Sequence, residues 1–157
     1  SLVDDEGIKL AVARKQPVWF SMDIYNTDYT QAEGAKNGVL EDNLRKDREI
    51  AQIQRDNFRK ANAAGVRMIF GSDAGVMPHG LVGGQFKVMV QYGMTPLQAI
   101  QAATRNAAEA LGREKDVGAI AVGRYADMVA VSGDPLYDVR LLEKPDAVIK
   151  GGVVVTD

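Results

Sequence analysis

The run VRMIFGSDAGVMPHG, residues 66–80, constrains this chain more than any other stretch. Val66 to Phe70 is a short run of largely apolar residues, β-branched and aromatic ones among them, with Gly65 before it and Gly71 after it. A short apolar run bounded by glycine is the pattern of a strand buried in a parallel sheet. Asp73 follows just past the carboxyl end of that strand, in a loop that holds Gly75, Pro78 and Gly80. In α/β folds the reacting groups gather outside the carboxyl ends of the strands. Asp73 is therefore a candidate metal ligand or proton acceptor. Aspartate also caps loops and helices, and this stretch alone leaves both readings open.

The surrounding sequence supplies the partners such a strand needs. Residues 17–24, PVWFSMDI, read as a second buried strand, with Asp23 and Tyr25 near its carboxyl end. The residue types there favour a packed Tyr25 and an Asp23 that caps or pairs. Residues 26–37 are polar, hold Gly34 and lack periodicity, which predicts a long loop over the same face. From Leu40 to Ala64, Leu44, Ala51, Phe58 and Ala61 recur near helical spacing, and Gly65 suits the position after a helix end. Strand, helix and strand in that order make a β-α-β unit with a parallel sheet.

At the amino end, residues 1–16 predict a helix with Asp4, Asp5 and Glu6 at its start and Pro17 as its stop. Past the central loop, Gln85 to Tyr92 predicts a short helix closed by Gly93. Thr95 as N-cap and Pro96 as first residue then start a helix expected to run unbroken to Leu111, with Gly112 at its end. Beyond Arg113 the character changes to glycine turns and short β-branched runs over Gly118 to Val131. Val148 to Val155 reads as a hairpin turning at Gly151-Gly152. This predicts an α/β layer over residues 1–112 and a small β layer over residues 113–157.

Bulk properties remove several functions. At 157 residues, 46% hydrophobic and 25% charged, the chain has the composition of a globular domain. A net charge of −2 gives no basic field for nucleic acid or anionic lipid, and no apolar run is long enough to cross a bilayer. The absence of cysteine excludes disulfides, thiol catalysis and thiolate metal ligands without assigning a compartment, and no leader sequence is recognisable. His79 is the one histidine, whereas a catalytic zinc site usually takes three protein ligands, mostly histidines.

Read together, the motifs form an ordered set: Gly71-Ser72-Asp73-Ala74-Gly75 with Pro78-His79-Gly80, Gly93-Met94-Thr95-Pro96, Ala103-Thr104 with Asn106-Ala107-Ala108, Leu111-Gly112, Gly123, Ala126-Asp127 and Ile149-Lys150-Gly151-Gly152. In that order and spacing the chain resembles the C-terminal portion of the metal-dependent amidohydrolase superfamily, in the branch of Xaa-Pro dipeptidase-like and imidazolonepropionase-related hydrolases. The resemblance implies an α/β fold: the last strands and helices of a (β/α)₈ TIM barrel, followed by strands of a small β-sandwich. Residues 17–24 would be strand seven and residues 66–70 strand eight. Asp73 would be the strand-eight aspartate, which binds a metal and acts as general base. The implied cofactor is zinc, binuclear in the parent, and the implied activity is hydrolysis of amide or peptide bonds in dipeptides or N-acyl amino acids. His79 lies on the loop over the implied active site and is a candidate substrate contact, as is Tyr25.

The family's remaining metal ligands, on strands one, four, five and six, have no counterpart in this sequence, and a complete barrel takes about 250 residues. The expectation is a fragment that holds no binuclear site alone and is inactive alone. It would oligomerise or associate with the missing N-terminal part. The competing expectation is a non-catalytic module that binds a ligand or completes another chain's barrel. The expected partner is a small molecule or dipeptide, with neither nucleic acid nor membrane involved.

Overall fold

A computed structural model describes residues 2–155. Two strands, β1 (Trp19–Met22) and β2 (Arg67–Phe70), pair in parallel, with Trp19 opposite Arg67 and Met22 opposite Phe70. The crossover between them carries α2 (Asn26–Glu33) and the 23-residue α3 (Glu41–Ala63). α1 (Asp5–Ala13) precedes β1, and its start is set by Asp4, whose carboxylate accepts from the Gly7 N–H at 2.8 Å. The helix predicted over residues 1–16 is thus shorter at both ends, and Ser1 lies outside the described residues.

After β2 come α4 (Gly84–Gln91), α5 (Pro96–Ala103) and α6 (Arg105–Ala110). The core gathers Met22 and Ile24 from β1 and its exit, Phe58 and Ala61 from α3, Met68 from β2, and Val88, Met89, Ala99 and Ala102 from α4 and α5. Alanine on α5 lets that helix lie close to the sheet, and all of this apolar surface leaves water together.

Two expectations are corrected. Residues 26–37 are not a loop: α2 occupies 26–33. Tertiary side-chain bonds hold it against α3 where periodicity is lacking. Thr27 Oγ1 and Gln31 Nε2 both donate to the Asp47 carboxylate, and Arg55 pairs with Asp28 at 2.6 Å. The helix expected from Pro96 to Leu111 is also broken, at Thr104, whose φ of −124° and ψ of −92° are not helical. Its hydroxyl instead donates to the Ile100 carbonyl at 2.7 Å.

Beyond residue 113, β3 (Met128–Ala130), β4 (Ala147–Lys150) and β5 (Val153–Val155) form an antiparallel sheet in that order, with the expected hairpin between β4 and β5. A 3₁₀ turn, Val139–Glu143, reaches back from this region to α4. Gly83 makes that approach possible: a Cβ there would lie 2.5 Å from the Leu142 carbonyl oxygen and 2.7 Å from the Glu143 Cα.

Candidate active site

Because β1 and β2 run the same way with Met22 opposite Phe70, their carboxyl ends emerge side by side. The ends are close enough that a Cβ on Gly71 would lie 2.6 Å from Ser21 Oγ. Asp23 leaves one strand here and Asp73 the other.

Asp73 is exposed and takes a φ of +46°, the one non-glycine residue with positive φ among those described. Aspartate tolerates this left-handed conformation better than most residues, and such strain concentrates at functional sites. The loop around it is closed by its own groups. Ala74 N–H donates to Ser72 Oγ at 3.3 Å, Gly75 N–H donates to the Met77 carbonyl at 3.2 Å, and the Met77 side chain is buried. Among the described residues, no hydrogen bond or ion pair engages the Asp73 carboxylate, so the side chain is not spent on capping.

Asp23 is built differently. Its half-buried carboxylate accepts from the Tyr25 N–H at 3.3 Å and the Asn26 N–H at 3.2 Å, capping the entry to α2. Burial raises its proton affinity above the ordinary carboxylate value. The two backbone donors offset part of that rise, and the negative charge of Asp73 adds to it.

Two residues not expected from the sequence hold this exit in place. Gln85, fully buried on α4, donates through Nε2 to the Met22 carbonyl at 2.9 Å and accepts at Oε1 from the Ile24 N–H at 3.3 Å. Arg55, on α3, donates through Nε and Nη2 to the Ile24 carbonyl at 3.2 and 3.1 Å. The backbone on both sides of Asp23 is thus clamped. A glutamine in a helix that also holds Lys87 and Gln91 offers only a weak signal in sequence; its significance appears once the backbone it bonds is known.

Tyr25 follows Asp23 and Ile24 at the same exit. Its ring packs on Gly84, where a Cβ would come within 2.4 Å of the ring's Cζ. Its hydroxyl is held protonated to higher pH than usual, mainly by burial and then by the charges of Glu143 and Asp28. His79 is exposed and opens a 3₁₀ turn, His79–Leu81, on the Asp73 loop. No hydrogen bond among the described residues joins its ring to Asp73. The structure therefore sets Asp23 and Asp73 just past the ends of neighbouring strands, and among the described residues no hydrogen bond or ion pair joins Asp73 to Asp23, Tyr25 or His79.

The donor chemistry fits one edge of a metal site rather than a whole one. Asp73 offers an uncommitted carboxylate, but among the described residues no group of three histidine, cysteine, aspartate or glutamate side chains is placed to hold an ion.

The sequence model of the amidohydrolase family matches residues 3–155. The chain belongs to the amidohydrolase family. That family is generally metal-dependent. This amidohydrolase chain is 32% identical over 120 residues to ochratoxinase of Aspergillus niger, a match covering 73% of the chain and 25% of that enzyme. It is 36% identical over 67 residues to imidazolonepropionase of Shouchella clausii, covering 41% of the chain and 15% of that protein. Among solved structures, a Xaa-Pro dipeptidase with methionine bound in its active site superposes with a TM-score of 0.86 at 35% identity, over 98% of this chain and 38% of that one. A putative prolidase from Bifidobacterium longum superposes with a TM-score of 0.85 at 26% identity, over 99% and 40%. The amidohydrolase chain thus spans a quarter to two fifths of the length of these longer relatives, the ochratoxinase and the two dipeptidase-like proteins.

Proposed function

We propose that this chain forms the closing portion of a metal-dependent amidohydrolase barrel and contributes its general base, Asp73, to hydrolysis of the amide bond of a dipeptide or N-acyl amino acid. The β3–β5 sheet would be part of a small β-sandwich completed by the rest of the protein. The observation that carries the reading is the exposed, uncommitted Asp73 carboxylate, held in a left-handed conformation at the carboxyl end of β2. Likeness to a Xaa-Pro dipeptidase over 98% of the chain supports the substrate class.

The proposed cofactor is zinc, binuclear in the parent by resemblance and held mainly by residues outside this chain. When bound, the metal would supply a water whose pKa falls to about 7. Asp73 would be one of the residues holding that metal and, as general base, would accept a proton and pass it to the leaving amide nitrogen. His79 and Tyr25 are proposed to meet the substrate from the loop after β2 and the exit of β1.

The second reading is a non-catalytic module that binds a ligand or completes another chain's barrel. It is favoured by Asp73 standing, among the described residues, outside any group of three side chains that could hold a metal ion. Asp73→Asn in the barrel-length protein separates the two. The amide keeps the shape, but it cannot accept the proton and is a poorer ligand for a hard cation. Loss of a general base costs about 10²–10⁴-fold in rate. The expected result, with methionyl-proline as substrate and at matched metal content and melting temperature, is a fall in kcat of at least about a hundredfold. Near-normal kcat would remove Asp73 from the chemistry.

A further inference from the structure

Asparagine is a thermolabile side chain, and this chain has six of them. Five lie in helices: Asn26 in α2, Asn43, Asn57 and Asn62 in α3, and Asn106 in α6. Each of the five is followed by a residue with a side chain. Asn37 alone precedes a glycine, Gly38, and both are exposed in the crossover between α2 and α3.

The turn that carries them closes the end of α2. The Val39 N–H donates to the Gly34 carbonyl at 2.8 Å and the Gly38 N–H to the Ala35 carbonyl at 3.3 Å, with Gly38 at φ +81°. This is a Schellman arrangement with Gly38 in its left-handed position. The Gly38 nitrogen is unshielded, since beyond its chain neighbours no atom lies within 4 Å of where a Cβ would stand. Its bond to Ala35 is longer than usual and sits in an exposed turn, the kind of segment that opens locally at little cost. The Asn37 carboxamide is tethered as well: Nδ2 donates to the Tyr29 hydroxyl at 3.0 Å.

We propose that Asn37 is a deamidation site whose pace is set by the Tyr29 hydroxyl. The Gly38 nitrogen attacks Asn37 Cγ. The N–Cγ bond forms as the Cγ–Nδ2 bond breaks, and ammonia leaves with the proton of the Gly38 N–H. The cyclic imide then adds water at either carbonyl, the nitrogen recovers a proton, and residue 37 becomes aspartate or isoaspartate. Solvent water is the sole co-reactant. Attack requires the carboxamide to leave Tyr29 and the Gly38 N–H to leave Ala35, so the folded turn reacts more slowly than the same residues unfolded. Isoaspartate routes the main chain through the side-chain carbon, and the added methylene breaks the register of the 34–39 turn.

The test is to age the barrel-length protein in mildly alkaline buffer, folded and in guanidinium chloride, and to map its peptides by mass spectrometry. Chromatography separates aspartate from isoaspartate at 37, and an isoaspartyl methyltransferase labels the second. We expect the peptide holding Asn37 to convert before any other, and more slowly in the folded protein than in guanidinium. Tyr29→Phe removes only the hydroxyl. Losing one exposed hydrogen bond should speed conversion in the folded variant about two- to fivefold and leave the rate in guanidinium unchanged. An Asn37 that stays intact when folded, earlier conversion at another asparagine, a folded rate equal to the unfolded one, or a folded Tyr29→Phe no faster than the native sequence would each overturn the proposal.

Discussion

Asp73 accepts a conformational cost for its position. A side chain at φ +46° is strained relative to glycine, and the strain is greatest for β-branched residues. Asp73→Val should therefore be less stable than Asp73→Gly by about 1 kcal/mol or more in chemical denaturation, although neither retains a carboxylate. Equal stabilities would mean that the backbone here is not strained. Asp138 gives a second residue-scale expectation. Its carboxylate is held at a pKa of about 2 by the Arg140 guanidinium and the Arg140 N–H, which it accepts as cap of the 139–143 turn. A depressed carboxylate contributes stability that is present above its unfolded value near 3.9 and lost as pH falls toward about 2. The melting-temperature difference between the native chain and Asp138→Asn should thus be constant above about pH 5 and close between about pH 4 and 2. At this scale, the place of Asp73 past the carboxyl end of β2 was legible because a glycine-bounded apolar run marks the strand it follows. Gln85 was not, because its meaning resides in two main-chain groups more than sixty residues away.

Among the elements, the legible ones carry their own periodicity. β1, β2 and α3 were readable because burial on a sheet or along one helix face imposes a local pattern. α2 was not, since the interactions that hold it are contributed by Asp47 and Arg55 of α3. The break at Thr104 was hidden for the opposite reason: its neighbours are good helix formers, and the chain bends because α5 and α6 both pack on β2. The junction of α4 with Tyr25 allows an element-scale test. Gly84→Ala would place a methyl group 2.4 Å from a partly buried ring and should cost about 1–3 kcal/mol. Gly80→Ala, with no atom within 4 Å of the added carbon, should change stability by no more than about 0.5 kcal/mol. Thermal unfolding of the pair checks both; a silent Gly84→Ala would show that the ring moves freely.

For the whole molecule, the described sheets are unusually open. β1 and β2 form a two-stranded parallel sheet, and Val129, Val153, Val154 and Val155 of the antiparallel sheet are all more than half exposed. Open strand edges and contiguous apolar surface favour association. The 157-residue chain by itself should therefore sediment as an oligomer or bind a complementary chain, and a monodisperse monomer with a sharp melt would count against this. The sequence carried the outline of this arrangement, because the order of its glycine and alanine motifs reports spacing along a fold even where each motif is weak.

The fit of Gly83 against Leu142 and Glu143 bears on how such proteins can be recombined. The change of character near Arg113 invites a crossover there when chimaeras are built from two relatives. Such a crossover would take residues 83 and 84 from one parent and 139–143 from the other. Any side chain larger than hydrogen at 83 or 84 would then push on the turn or on Tyr25, and through Tyr25 on the residue beside Asp23. A productive exchange would carry the α4 start and the 139–143 turn from a single parent, so the unit of inheritance here is a contact and not a stretch of chain.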